Sequence, residues 1–253
     1  MNGTPVTPPE PGTTELGATT AEVPATGGWR LRTMVPDGIF TLALEADDEA
    51  AAVEHAAFAD RCLPVLAARA TDAPGPAADQ GELRRSVIAE LGALRRAMAG
   101  TGLGYLGALA GEHAGRAALI LLGIAVTPME FPGALDAASL LAAVTRHQYP
   151  GAAVEEFPTA EGTGVGIRRC DELTLPVSQL PLPEAARAAI DGDELRIDTG
   201  VSQALVPFPQ AGLLASVIGY CFSPHDIDLA TVFTATIAFR MTAVQDEPAR
   251  SAR

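Results

Sequence analysis

The period of the apolar positions changes several times along this chain, and each change marks an element. From Leu83 they fall at Leu83, Val87, Leu91, Leu94 and Met98, with Arg84, Arg85, Arg95 and Arg96 mostly off that stripe. Alternating steps of three and four are what one face of a helix requires. Asp79 and Glu82 supply a cap pair at its start, and Gly100 and Gly102 stop it. The same spacing returns at Ile227, Ala230, Thr234, Ile237 and Met241. Just before it, Ser223 reads as an N-cap, Pro224 as the first helical position and Asp226 as the return partner of a capping box. Asp47-Asp48-Glu49 places negative charge where a helix dipole favours it. That helix is expected to run to Leu63 and stop at Pro64, followed by a loop over Ala70–Gln80. Leu135–His147 reads as a further helix, closed by Pro150-Gly151.

Between these helices the pattern is strand-like. Trp29–Met34 and Ile39–Ala46 flank the turn signal Pro36-Asp37-Gly38, and Phe40, Leu42 and Leu44 alternate onto one face. Gly104–Ala110 and Ala117–Val126 read as a hairpin joined by the loop Gly111–Arg116. A second hairpin, Ala152–Phe157 with Gly164–Cys170, turns around Thr159–Thr163. Leu173–Pro183 is a proline-punctuated connector, Glu184–Ile190 a short helical turn, and Glu194–Thr199 leads into the closing strands Leu205–Pro207 and Leu213–Phe222. Short joints permit antiparallel neighbours and forbid parallel ones. The expected fold is α+β: an antiparallel sheet of six to eight strands built from hairpins, with amphipathic helices packed on it. Met1–Gly27, rich in Pro and Thr without periodicity, is expected to be a disordered tail. Residues 28–241 form the single domain, and 242–253 a second disordered tail.

Composition narrows the partners. The chain has 253 residues, 48% of them hydrophobic, enough to bury a substantial core. Its net charge is −14, whereas binding phosphate backbones needs a basic patch, so no nucleic-acid partner is expected. All 17 basic residues are arginine. With the abundance of Ala, Gly and Pro, this points to a GC-rich genome such as an actinobacterium's. Cys62, Cys170 and Cys221 are scattered singly, which is neither a disulfide framework nor a zinc spacing. No signal-peptide pattern opens the chain, and the longest apolar runs, such as Ala117–Val126, are about half of the ~20 residues that span a bilayer. A reduced, cytoplasmic protein without a membrane span is the expectation.

Gly102-Leu103-Gly104-Tyr105-Leu106-Gly107 spells the glycine pattern of dinucleotide sites. That pattern must follow a strand and open a helix, and here the order is reversed. Gly162-Thr163-Gly164-Val165-Gly166 has the same defect and lacks a lysine. Ser223, His225 and Asp226 stand too close in sequence to take the three approach directions of a hydrolase triad. His55, His113, His147 and His225 form no ligand pair. Cys170, behind Arg168-Arg169, is the one thiol with an electropositive neighbourhood; Cys62 and Cys221 read as core residues. The acidic clusters Asp47–Glu49, Glu155-Glu156 and Asp191–Glu194 read as solvated surface. No catalytic, cofactor-binding or metal-ligating residue is therefore assigned, no cofactor is expected, and the balance falls against an enzyme.

Gly28-Trp29 near the start, the last strand Gly212–Phe222 and the closing helix Ile227–Met241 together resemble the PsbP-like superfamily, loosely over Trp29–Met241. The superfamily includes the photosystem II extrinsic protein P and DcrB-like and LpqN-type proteins. This chain departs from the lipoproteins in having no lipobox cysteine, and Gly81–Met98 is an additional helix. The resemblance implies a scaffold that binds proteins or small ligands, usually without catalysis. Two functions follow as expectations. One is a non-catalytic protein-binding chaperone or adaptor, linked to a secretion or toxin system. The other is a small-molecule binding protein or degenerate enzyme with a pocket between sheet and helices. A grooved apolar patch would favour the first and convergent polar groups in a pocket the second.

Overall fold

A computed structural model describes residues 18–25, 27–42, 44, 48–71, 79–98, 101–113, 115–133, 136–179 and 192–245. The helical turn expected at Glu184–Ile190 and the acidic residues Asp47 and Asp191 lie outside these. The protein is α+β, with ten strands in two antiparallel sheets and four helices among the described residues. The strands are β1 (Ala18–Pro24), β2 (Trp29–Pro36), β3 (Phe40–Leu42), β4 (Leu103–His113), β5 (Arg116–Pro128), β6 (Ala153–Thr159), β7 (Gly162–Pro176), β8 (Glu194–Phe208), β9 (Leu213–Cys221) and β10 (Thr242–Gln245). The helices are α1 (Asp48–Thr71), α2 (Gln80–Met98), α3 (Ala137–Gln148) and α4 (Ile227–Phe239).

The seven-stranded sheet runs β3-β4-β5-β9-β8-β7-β6. It consists of two meanders, β3–β5 and β6–β9, joined where β5 pairs with β9 from Ile120↔Cys221 to Pro128↔Leu213. Period-two alternation sends the two sets of side chains to opposite faces. One set, including Ile120, Leu122, Ile124, Val206, Phe208 and Val217, is fully buried in the largest core. That core is shared with α4 and with the three-stranded sheet β1-β2-β10, through Val23 and Leu31. On the opposite face α1 and α2 meet β3 and β4 in a second core around Phe58, Cys62, Leu91 and Leu106. There α3 sets Ala138, Leu141 and Ala142 against Val165 and Ile167 of β7.

Two of the expected tails are corrected in part. β1 lies inside the segment 1–27, and pairs with β2 over its whole length, from Ala18↔Pro36 to Pro24↔Arg30. Sequence periodicity missed it because only Val23 of its seven residues is buried. β10 likewise lies inside 242–253 and pairs with the other edge of β2, from Thr242↔Arg32 to Gln245↔Trp29. Its partner lies some 200 residues away in the chain, which no local pattern reveals.

Other boundaries moved. α1 does not stop at Leu63 but continues through Pro64 to Thr71. An interior proline costs ~3 kcal/mol; burial of Phe58, Ala59 and Cys62 on the same helix offsets it. The hairpin β4–β5 carries its ladder through Gly111 to His113↔Arg116, so the turn is tighter than the loop Gly111–Arg116. β7 extends to Pro176, taking in part of the expected connector. β3 is described over Phe40–Leu42; Ala43, Glu45 and Ala46 of the expected strand lie outside the described residues.

The capping box is also corrected. Ser223 makes no side-chain cap bond; its carbonyl accepts the Asp226 N–H at 3.0 Å in a single 3-10 turn, Pro224–Asp226. α4 starts one turn later, with Asp226 at its N-cap. Its inward face is as expected: Ala230, Thr234, Ile237 and, just beyond, Met241 are all buried.

Candidate functional site

An apolar strip and a cleft on the large sheet have the right build to receive a partner. The strip runs along the middle of the face shared by α1, α2 and α3. Register sets its floor: Leu121 of β5 stands beside Tyr220 of β9, and Tyr220 beside Val201 of β8. The next row is Gly123, Ile218 and Gln203. α1 and α2 gather the β3–β4 end of this face into one core and α3 the β6–β7 end into another. Ile218, Tyr220 and Phe222 belong to neither, and all three are half-buried.

The strip is mostly apolar with a few placed polar groups. Tyr220 and Phe222 meet edge to face, with ring centroids 5.2 Å apart and planes at 80°. Gln203 Nε2 donates to Ser216 Oγ at 2.8 Å, which fixes the amide on the floor. At the β7 margin the Arg169 guanidinium lies 4.4 Å from the centroid of the Tyr149 ring, at the end of α3. Its Nε is 2.9 Å from Asp171 Oδ2 as an ion pair, but the angle is too poor for a hydrogen bond. One edge of an aliphatic–aromatic floor therefore ends in a cation held by ring stacking.

A cleft of about 370 Å³ lies on the other face, between β1 and the β3–β4 edge. Thr41 and Tyr105 line it, with their hydroxyls 3.2 Å apart, and burial pushes the Tyr105 phenol up. Glu22 also lines it, its carboxylate held below the usual range by hydrogen bonds and charge from Arg32 and Arg30.

The glycine pattern Gly102–Gly107 borders this cleft and has a packing role. Gly102 takes φ +78° after α2. A Cβ at Gly104 would collide with Val23 Cγ1, and one at Gly107 would stand 2.8 Å from both Ile39 Cγ2 and Tyr105 Oη. These glycines let β1 and the tyrosine ring lie directly on β4. Gly164 plays the same part beneath Phe157, and Gly162, at φ +142°, turns the β6–β7 hairpin.

The remaining sequence candidates stay apart. His225 is exposed in the 3-10 turn, while Asp226 is buried. His55 is buried in α1, where desolvation, reinforced by Arg95, lowers its pKa. His113 and His147 lie at the β4–β5 turn and the end of α3. Cys62 is buried and pushed up to about 12 by desolvation; Cys221 is buried and raised for the same reason. Cys170 is the exposed thiol. Among the described residues no three His, Cys, Asp or Glu side chains gather as a metal site. No helix among them is long and apolar enough to cross a membrane.

Sequence reasoning missed both the strip and the cleft because each is assembled from strands remote in the chain. The one local signal was the apolar run Leu213–Phe222, whose even positions from Ile218 on lie along the strip. No protein-family model, curated protein or solved structure matches this chain.

Proposed function

We propose that this chain is a non-catalytic protein-binding protein, a chaperone or adaptor, that takes an apolar segment of its partner on the strip of Leu121, Ile218, Tyr220 and Phe222. The observation that carries this reading is a row of three large half-buried side chains, Ile218 and Tyr220 on the central β9 and Phe222 just past its end, outside the neighbouring cores. An antiparallel sheet that leaves one face to solvent ordinarily puts polar side chains there; an apolar row only partly covered marks a place where something docks. Aromatic anchors beside an arginine are the composition of binding hot spots. This is the kind of use that the PsbP-like resemblance implies. We place its work in a reducing cytoplasm, in step with its free cysteines, and its partner in a secretion or toxin system.

A photo-crosslinking amino acid at position 220 tests the reading in the native host. A discrete protein adduct that disappears on Ile218→Asp, with the melting midpoint of the variant unchanged, is expected. Turnover or saturable binding of a metabolite by the purified protein, without a protein adduct, would overturn it.

The 370 Å³ cleft favours a second reading, a small-molecule site. Tyr105, Thr41 and Glu22 would then orient a compact polar ligand by hydrogen bonds. Ligand-induced stabilisation that is lost on Thr41→Val would support it.

A further inference from the structure

We infer that α4 carries a self-complementary docking face and that this protein pairs with a second copy of itself through it. α4, Ile227–Phe239, has the sequence IDLATVFTATIAF, with Asp228 as its one charged residue. A helix apolar all round is ordinarily covered all round. Here Ala230, Thr234, Ile237 and Ala238 are buried against the sheets, yet Val232 is 59% and Phe239 51% exposed. With half-buried Leu229, Phe233 and Thr236 they form a stripe at 229, 232, 233, 236 and 239, the spacing of a helix–helix seam. Both faces are apolar: Leu229 and Phe233 lean in part on the core beneath, while Val232 and Phe239 stand clear of it.

The order of residues along the stripe says what covers it. In a two-fold antiparallel crossing, each residue meets its counterpart at an equal distance beyond the axis. With the axis level with Thr234, Leu229 of one copy meets Phe239 of the other, and Val232 meets Thr236. The same axis sets Asp228 opposite Arg240, which closes the helix at its C-terminal end. From Leu229 to Phe239 the seam runs about 15 Å without a charge, at ~1.5 Å per residue, with opposite charges meeting at each end. Both charges are exposed. Asp228 meets Arg168 only at 3.4 Å, and Arg240 Nη1 reaches Met34 Sδ at 3.2 Å, so both can turn toward a partner.

A bilayer surface fits less well. The chain has no lysine and a net charge of −14, which anionic headgroups repel. Glu155, beside Arg168 near Asp228, adds negative charge at the rim.

Sedimentation velocity over a concentration series tests the inference on the full chain. A dimer of twice 26.0 kDa is expected to form as concentration rises. Val232→Glu and Phe239→Glu should each return the protein to monomer with an unchanged melting midpoint. Asp228→Arg alone and Arg240→Asp alone should each weaken pairing, because every end then brings like charges together. Mixing those two variants should restore the dimer, since each end of the mixed pair regains opposite charges. A wild-type chain that stays monomeric at all concentrations would overturn the proposal. So would a dimer indifferent to Val232→Glu, a mixture that stays monomeric, or attachment to phosphatidylcholine vesicles in place of self-association. None of these outcomes depends on the central strip, so this proposal and the proposed function fail separately.

Discussion

The most informative single substitution is Val23→Ala, because the sequence places Val23 in a disordered tail and the structure places it in the core. Its side chain has no exposed surface and lies on Gly104 of β4, between the two sheets. Removing two carbons at ~0.8 kcal/mol per buried CH₂ costs about 1.6 kcal/mol. The space left behind, only partly refilled, raises the loss to roughly 2–3 kcal/mol. At roughly 2–4 °C per kcal/mol for a chain of this length, the melting midpoint should fall by about 4–12 °C. The comparison is Thr20→Ala in the same strand, exposed, where a change within ~0.5 kcal/mol is expected. Thermal melts of both variants and the parent, followed by far-ultraviolet circular dichroism, decide the matter. Equal midpoints for all three would mean that β1 contributes nothing to the fold and that the reasoning is wrong.

Helix caps give a paired test. Asp136 Oδ2 accepts the Ser139 N–H at 2.8 Å, so Asp136→Ala should cost about 0.5–2 kcal/mol, whereas Ser223→Ala, with no cap bond to lose, should leave the melt within ~0.5 kcal/mol. Under native conditions an alkylating reagent should modify Cys170 alone; Cys62, at about 12, and Cys221 should react only after unfolding, as peptide mass mapping would report. For His55, burial lowers the folded pKa below the unfolded value of about 6.5, so the folded state favours the neutral ring. Its contribution is then fully present above that value and lost as pH falls through the folded pKa. Chemical melts of the parent should weaken on acidification below about 6.5 more steeply than those of His55→Gln; parallel pH profiles would refute the assignment.

Long periodic stretches were legible because the contacts that stabilise them repeat within the stretch. The face Ala230–Thr234–Ile237–Met241 was read correctly, and so was the stripe of α2, whose Leu91 is buried. β1 and β10 were not legible, since each becomes a strand only by pairing with an edge of β2. The end of α1 was misread for a related reason: propensity at Pro64 is a local penalty, and the burial that outweighs it is tertiary. Ser223 shows the opposite failure. All the letters of a capping box were present, but a 3-10 turn carried the backbone past the geometry that would have used them. The central strip was half legible. Leu213–Phe222 read only as an apolar run; strand pleating puts Ile218 and Tyr220 on one face, while their incomplete cover depends on where α1 and α3 lie.

The glycines of the sequence Gly102–Gly107 separate a motif from its mechanism, and they can be separated in the same way at the bench. A phosphate cradle needs glycines so that backbone can approach a ligand; here Gly107 lets Tyr105 and Ile39 approach the strand instead. Gly107→Ala would set a carbon 2.8 Å from both side chains, inside any real contact distance. Overpacking of this kind costs about 1–3 kcal/mol, and displacement of the ring would break the contact between the Tyr105 and Thr41 hydroxyls. Gly111, on the same strand with open space at its Cβ, is the control, and Gly111→Ala should be neutral within ~0.5 kcal/mol. Melting curves together with near-ultraviolet circular dichroism of the tyrosines read out both effects. A nucleotide site would show the reverse pattern, with stability kept in Gly107→Ala and nucleotide affinity lost. Midpoints for the two alanine variants that agree would show that the close packing at Gly107 carries no energy.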